Sequence, residues 1–119
     1  MLINFSNHPQ NEWTKEQIDT ATEQYGGIVD IPFPDVDPKA SFPDVQKMSE
    51  SCVIKLQPLG NVGDVVHIMG EHTLTFMIVS RLKSLGIRCI ASCTERICRR
   101  DENGDIVRSF AFRQFRPYF

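Results

Sequence analysis

The sequence lacks several features that would assign it at once to a large class of proteins. It has no apolar run near the length of about 20 residues that spans a bilayer. Its first residues lack the basic and long apolar segments of a signal peptide. It contains neither the Gly-x-Gly-x-x-Gly dinucleotide fingerprint nor the Gly-Lys-Thr of a Walker loop. These absences predict a cytoplasmic protein that does not associate with a membrane.

Paired metal-binding cysteines are also missing. The four cysteines include no Cys-x-x-Cys, and in a chain without an export signal we interpret them as reduced thiols. Metal binding by Cys89, Cys93 and Cys98 is the alternative, although their spacing is not that of zinc knuckles. The three His and the carboxylates show no ligand spacing either. We therefore expect no metal and no cofactor.

Positive charge is scarce in the first two thirds of the chain and abundant in the last third. Residues 1–80 carry four Lys against eleven acidic residues, a balance of −7. Residues 81–119 carry eight Arg and one Lys against four acidic residues, a balance of +5. Arginine suits planar, bidentate capture of phosphate or carboxylate. The basic third is either a solvated edge or part of a site for an anionic ligand.

The apolar pattern predicts one α/β domain over residues 1–119. Short apolar runs alternate with segments of helical period, which is typical of a parallel sheet with right-handed crossovers. An Asn-Gly between two β-type runs predicts a hairpin at the C-terminal end. We expect a small Rossmann-like, three-layer fold with strand order 2-1-3-4, extended by that hairpin. The predicted strands are Leu2–Phe5, Ile28–Ile31, Val65–Met69 and Ile87–Ala91, followed by Ile97–Arg100 and Ile106–Phe112.

Local signals mark the ends of the predicted helices. Thr14 and Gln17 have the spacing of a capping box, in which Gln17 would reach back to the backbone of Thr14. Pro43 suits the first turn of the second helix. Three prolines between residues 32 and 38 forbid regular structure there, and a plain connection is favoured over a mobile flap.

The strand–glycine–helix unit around Gly70 is the candidate ligand site. A helix that begins after Gly70 would present free backbone N–H groups to an anion. The helix N-terminus also stabilises an ionised Glu71, which could orient a ribose hydroxyl or be a simple first-turn carboxylate. Thr73 could be a helix N-cap and Thr75 a hydroxyl beside the core, so the spacing alone leaves ligand binding open.

Two further polar clusters follow predicted strands. Ser6-Asn7-His8 follows the first strand, and Ser92 to Arg96 follows the fourth. In the order 2-1-3-4, the ends of strands 1 and 3 meet at the switch point where such sheets bind ligands. His8 and His72 are candidates for acid or base chemistry, or hydrogen-bonded loop histidines. His67 lies inside a strand and is interpreted as structural.

Several stretches together resemble a known family. Gly70-Glu71-x-x-x-Thr75-Phe76 is similar to the glycine turn of small stand-alone CRISPR-associated ring nucleases of type III systems, which have a CARF-like Rossmann fold. Thr94-Glu95-Arg96 resembles their Thr-Lys-Arg motif, with Glu95 in place of Lys. The ending Phe115-Arg116-x-Tyr118 resembles theirs. Ser6 and His8 match their Ser-His pair with Asn7 inserted, and Thr73 stands where some members carry a glycine.

This resemblance implies metal-independent cleavage of cyclic oligoadenylate, a cyclic RNA second messenger, and thereby an end to type III signalling. The 2′-hydroxyl of the substrate would attack the adjacent phosphodiester and leave a 2′,3′-cyclic phosphate. The ring is large for a domain of this size, so a two-fold homodimer is expected, and no long nucleic acid. The resemblance implies catalytic roles for Ser6, His8 and Thr75, and ligand contacts for Asn7, Gly70, Glu71, His72, Thr73, Thr94, Arg96 and Arg116.

Two other functions remain open at this point. The same pocket could bind a cyclic or linear nucleotide without cleaving it, as a sensor or sponge. An unrelated interaction module could also use this scaffold, because a fold does not fix a function.

Overall fold

The structure is a computed structural model that describes residues 1–60 and 63–119. Strands and helices alternate along most of the chain, as the apolar pattern predicted. Short 3₁₀ turns lie at Gln10–Glu12 and Gln57–Leu59. The strands are β1 (Leu2–Ser6), β2 (Ile28–Pro32), β3 (Val65–Met69), β4 (Arg88–Arg100) and β5 (Ile106–Pro117), and the helices are α1 (Lys15–Tyr25), α2 (Phe42–Leu56) and α3 (His72–Ser84).

The five strands form one sheet in the order β2-β1-β3-β4-β5. β1 to β4 pair in parallel, and β5 pairs antiparallel with β4. The predicted α/β fold and strand order are therefore confirmed, including the C-terminal hairpin. β1 and β3 are parallel neighbours. The chain adds β2 on one side of β1 and then crosses to add β3 on the other side, so the switch point of the sheet lies between β1 and β3.

Helices cover both faces of the sheet, which makes three layers. Successive side chains of a strand point to opposite faces, and each face has its own apolar cluster. α1 packs on one face through Ala21, against Leu2, Val65, Ile90, Phe112 and Phe115. On the other face, α2 and α3 bury their apolar sides against Ile3, Phe5, Val66 and Ile68.

The hairpin is longer than the sequence predicted. β3 pairs with β4 at Arg88 to Ile90, whereas β4 continues to Arg100 in register with β5. The sequence placed Ser92 to Arg96 in a polar cluster after the strand, and this prediction is wrong because β5 supplies the backbone partners that extend the strand. A register shift between Cys93 and Thr94 marks where the hairpin leaves the parallel part of the sheet.

The N-termini of α1 and α2 are each capped by a side chain. Thr14 caps α1 as predicted and accepts from the Gln17 N–H at 3.2 Å. The Gln17 side chain does not reach back to Thr14, because its amide donates instead to Ser92 Oγ at 2.9 Å. α2 begins at Phe42, with a capping box between Ser41 and Asp44.

The proline-containing connection after β2 is anchored to the core. Phe33 is buried and lies 5.1 Å from Phe5, measured between ring centroids. At the far end of the sheet, the predicted Asn-Gly turn joins β4 to β5, with Gly104 at φ +82°. None of the described helices has the length and apolar character needed to cross a membrane.

Candidate functional site

The loops that follow β1 and β3 meet at the carboxyl edge of the sheet. The backbone N–H of Asn7 donates to the Met69 carbonyl oxygen at 3.2 Å, one residue before Gly70. The Phe33 N–H donates to the Ser6 carbonyl oxygen, also at 3.2 Å. The segment Ser6 to His8 therefore lies directly beside the Gly70 turn, as the strand order predicted.

Ser6 is buried and its hydroxyl bonds within the loop. Ser6 Oγ lies 2.7 Å from Asn4 Oδ1 and 3.0 Å from the His8 carbonyl oxygen, and it accepts from the His8 N–H at 3.2 Å. These bonds shape the loop that displays Asn7 and His8, which are both exposed. His8 Nδ1 lies 3.4 Å from a carboxylate oxygen of Glu12.

The N-terminus of α3 carries an anion of its own. The Glu71 carboxylate accepts from the backbone N–H groups of Thr73 at 3.1 Å and Leu74 at 2.8 Å, and from the Thr73 hydroxyl. These bonds, that of Leu74 above all, lower the pKa of Glu71. Glu71 rather than Thr73 is therefore the N-cap. Its carboxylate accepts from backbone N–H groups that the sequence predicted to be free for an anionic ligand. His72 is exposed beside it.

Thr75 lies one turn into α3 and is nine-tenths buried. Its backbone N–H donates to the Glu71 carbonyl oxygen at 2.9 Å. Its hydroxyl oxygen is the one buried side-chain polar atom, among the residues that the structure describes, without a hydrogen-bond partner. An unpaired buried hydroxyl is costly, so this hydroxyl does not contribute to stability through a hydrogen bond within the described residues.

The remaining predicted contacts lie on the hairpin. Arg116 of β5 is in register with Ala91, close to the parallel sheet. Thr94 and Arg96 lie further out on β4, where they are in register with Phe112 and Phe110 respectively. Both residues of β4 are exposed, as is Phe110, whereas Phe112 is buried. Glu95, which replaces the Lys of the resembled motif, forms an ion pair with Arg113 at 2.8 Å.

A cavity of about 270 Å³ opens beside the Ser6 loop. Its lining is partly acidic because it includes two carboxylates from β2 and the following loop. The lining residues are Asn4, Ser6, Asn7, Pro9, Asp30, Ile31, Pro32, Phe33 and Asp35.

A chain of buried polar side chains crosses the sheet on the α1 face, and we call it the Asn4–His67–Ser92 chain. Asn4 Nδ2 donates to Asp30 Oδ1 at 2.8 Å and to the His8 carbonyl oxygen at 2.9 Å. Asn4 Oδ1 lies 2.9 Å from His67 Nδ1, and His67 Nε2 lies 2.7 Å from Ser92 Oγ. Asn4 and His67 are almost fully buried, and Ser92 is partly exposed.

The acceptors around Asn4 fix the protons along this chain. Because Asn4 Nδ2 faces two acceptors, the atom facing His67 is the amide oxygen, and His67 Nδ1 carries the hydrogen. Burial, and to a smaller extent the charge of His8, lowers the pKa of His67 to about 4. The ring is therefore neutral at pH 7, and Nε2 accepts the Ser92 hydroxyl hydrogen. Trp13 covers the ring edge-on, with 5.1 Å between centroids.

Comparison with known proteins places the chain in a family. Residues 1–116 match the family described as uncharacterized protein MJ1673. The chain belongs to this family. No curated protein and no solved structure matches it. Within residues 1–60 and 63–119, no three His, Cys, Asp or Glu side chains are grouped so that they could hold a metal ion.

Sequence reasoning did not identify the Asn4–His67–Ser92 chain as a unit. It interpreted His67 as structural and did not consider Asn4 or Asp30. A signal was present, because Asn4 and His67 are polar residues inside apolar strands, and in the order 2-1-3-4 they fall in register. Their side chains had to meet on one face once that register was known.

Proposed function

We propose that the protein binds cyclic oligoadenylate and cleaves it without a metal ion, as a homodimer. The observation that carries this proposal is the 3.2 Å hydrogen bond between Asn7 and Met69, which holds the Ser6–His8 loop against the Gly70 turn. These two segments contain most of the residues that resemble ring nucleases. The confirmed strand order also has the switch point at which sheets of this kind bind nucleotides.

The proposed reaction is an in-line attack within the substrate. The ribose 2′-oxygen bonds to the adjacent phosphorus, the bond from phosphorus to the 5′-oxygen breaks, and a 2′,3′-cyclic phosphate and a 5′-hydroxyl result. His8 accepts the 2′-hydroxyl proton, since it is exposed within the loop that would hold the ribose, and the departing 5′-oxygen takes a proton from solvent. Thr75 supplies a hydroxyl without a partner among the described residues, and Ser6 shapes the loop.

The proposed homodimer would bring a second basic hairpin to the ligand. Asp30, Asp35 and Glu71 all lie at the carboxyl edge of the sheet and repel a polyanion. Arg96 and Arg116 of the hairpin are exposed, and they are the positive charges within the resembled motifs. A two-fold pair of chains would bring two hairpins to one ring.

The test is incubation of the pure protein with cyclic tetra- and hexa-adenylate in the presence of EDTA. Linear products that end in a cyclic phosphate support the proposal. Tight binding of an intact ring supports the sensor or sponge. If the protein neither cleaves nor binds the ring, the remaining hypothesis is an unrelated interaction module. Sedimentation of the protein with and without the ring tests for the homodimer.

Two histidine variants separate catalysis from contact. We expect His8→Ala to slow cleavage of the bound ring by about 100-fold, the usual contribution of a general base, with a smaller effect on affinity. His72→Ala is the matched control, and it should weaken binding more than it slows cleavage. Equal losses of rate and affinity in His8→Ala would reduce His8 to a contact residue.

A further inference from the structure

The Asn4–His67–Ser92 chain has the geometry of an activated nucleophile. Its hydroxyl, imidazole and amide come from β4, β3 and β1 and lie in that order, with spacings of 2.7 Å and 2.9 Å. Both distances fall within the range for a nucleophile and its base and for a base and the group that orients it. We propose that Ser92 is a nucleophile, that His67 is its general base and that Asn4 is a positioning residue.

The proton arrangement already matches this role. Gln17 Nε2 donates to Ser92 Oγ at 2.9 Å, so the single hydroxyl hydrogen is left to point at His67 Nε2. Asn4 Oδ1 accepts the hydrogen of His67 Nδ1, and this bond excludes the tautomer of His67 that is protonated on Nε2. The hydrogen bonds therefore hold His67 in the tautomer in which a base presents its unprotonated nitrogen to the nucleophile.

The position of Ser92 allows a substrate to approach. His67 and Asn4 are buried, whereas Ser92 is partly exposed, so Ser92 is the member of the chain nearest to solvent. The Ser92 backbone N–H faces Met69 Sδ at 3.4 Å. A thioether is a weak acceptor, and a developing oxyanion would be the stronger partner for this N–H.

The substrate class is an ester, carboxylic or phosphoric, with a displaceable alkoxide or phenoxide. Ser92 Oγ bonds to the carbonyl carbon or to phosphorus, and its proton passes to His67 Nε2. The ester oxygen leaves with that proton, so that His67 returns to its neutral form. Water then attacks the acyl- or phosphoryl-serine, and His67 accepts a proton from it. His67 returns that proton to Ser92 Oγ as the bond to the acid breaks, so that the serine and the neutral histidine are restored.

A fluorophosphonate ester tests for the nucleophile directly. Reaction forms the bond from Ser92 Oγ to phosphorus and releases fluoride, and peptide mapping by mass spectrometry locates the adduct. Ser109 is an internal control, because it is an exposed serine on β5 that is in register with Ile97. We expect Ser92 to be labelled about 100-fold faster than Ser109, as general-base assistance would give. Equal labelling of the two serines overturns the proposal.

Variants distinguish the base from a structural histidine. His67→Gln can still donate to Asn4 and accept from Ser92 but is not basic, so it should remain folded by circular dichroism and lose the labelling of Ser92. Undiminished labelling in a folded His67→Gln overturns the role of His67. If that variant does not fold, the comparison of Ser92 with Ser109 in the unaltered protein decides. Turnover of p-nitrophenyl acetate, a carboxylic ester, is compared with turnover of bis(p-nitrophenyl) phosphate, a phosphoric diester. The substrate whose turnover is lost in Ser92→Ala identifies the class of ester.

Discussion

The ring of Phe33 lies directly over Gly70. A Cβ built on Gly70 would come within 2.5 Å of two ring atoms of Phe33. Phe33 comes from the connection after β2, and its ring also packs against Phe5 of β1. Gly70 is therefore required for the close approach of this connection to the turn after β3.

Gly70→Ala should destabilise the protein by about 1 to 3 kcal/mol, the usual cost of forcing extra volume into a packed site. The Phe33 ring cannot move freely because it is buried against Phe5. Gly27→Ala is the matched control, since its Cβ would meet Met1 Cε at an ordinary 3.7 Å. Urea unfolding of both variants makes the comparison, and equal midpoints would contradict the close packing.

Stability should fall in mildly acidic solution because of His67. Its pKa is about 4 in the folded protein against an ordinary value of 6.5. Between these values the unfolded chain binds the proton that the folded chain excludes, so the free energy of unfolding rises with pH across this window. The loss begins near pH 6.5 and reaches about 3 kcal/mol below pH 4.

The same measurement on His67→Gln isolates this contribution. The variant has no titrating group at position 67, so the difference in unfolding free energy between it and the unaltered protein should change with pH between 6.5 and 4. A difference that stays constant across this window would show that His67 does not resist protonation.

Glu71→Ala should cost about 1 kcal/mol, because it leaves the N–H groups of Thr73 and Leu74 without their N-cap acceptor. Thermal unfolding measures the effect. Glu23→Ala on α1 removes an exposed carboxylate from a position that is not a helix cap, and it should change little. If both variants melted alike, the Glu71 cap would contribute nothing to stability.

Thr75→Val should leave stability unchanged or raise it slightly, because it removes a buried hydroxyl that lacks a partner among the described residues. If the proposed function is correct, the same change should slow ring cleavage, whereas Thr75→Ser should retain activity. A large loss of stability in Thr75→Val would indicate that the hydroxyl has a partner within the folded chain.

Much of the architecture follows from local patterns. The apolar runs at Leu2–Phe5 and Val65–Met69, separated by segments of helical period, were enough to predict a parallel sheet and its order. The turn at Asn103-Gly104 was predicted by its own backbone preferences. The extent of the hairpin was not, because residues 92–96 are held in a strand by their pairing with β5 rather than by their own composition.

Some features of the candidate site also follow from the sequence, and others do not. The sequence by itself determined that polar loops would follow β1 and β3 and that they would meet, since strand order brings the ends of neighbouring strands together. Only the tertiary structure decided that Phe33 would cover Gly70, and that Asn4, His67 and Ser92 would form one chain. Those outcomes depend on contacts between residues up to 63 positions apart, and side-chain direction across a sheet is set by register, which no single segment encodes.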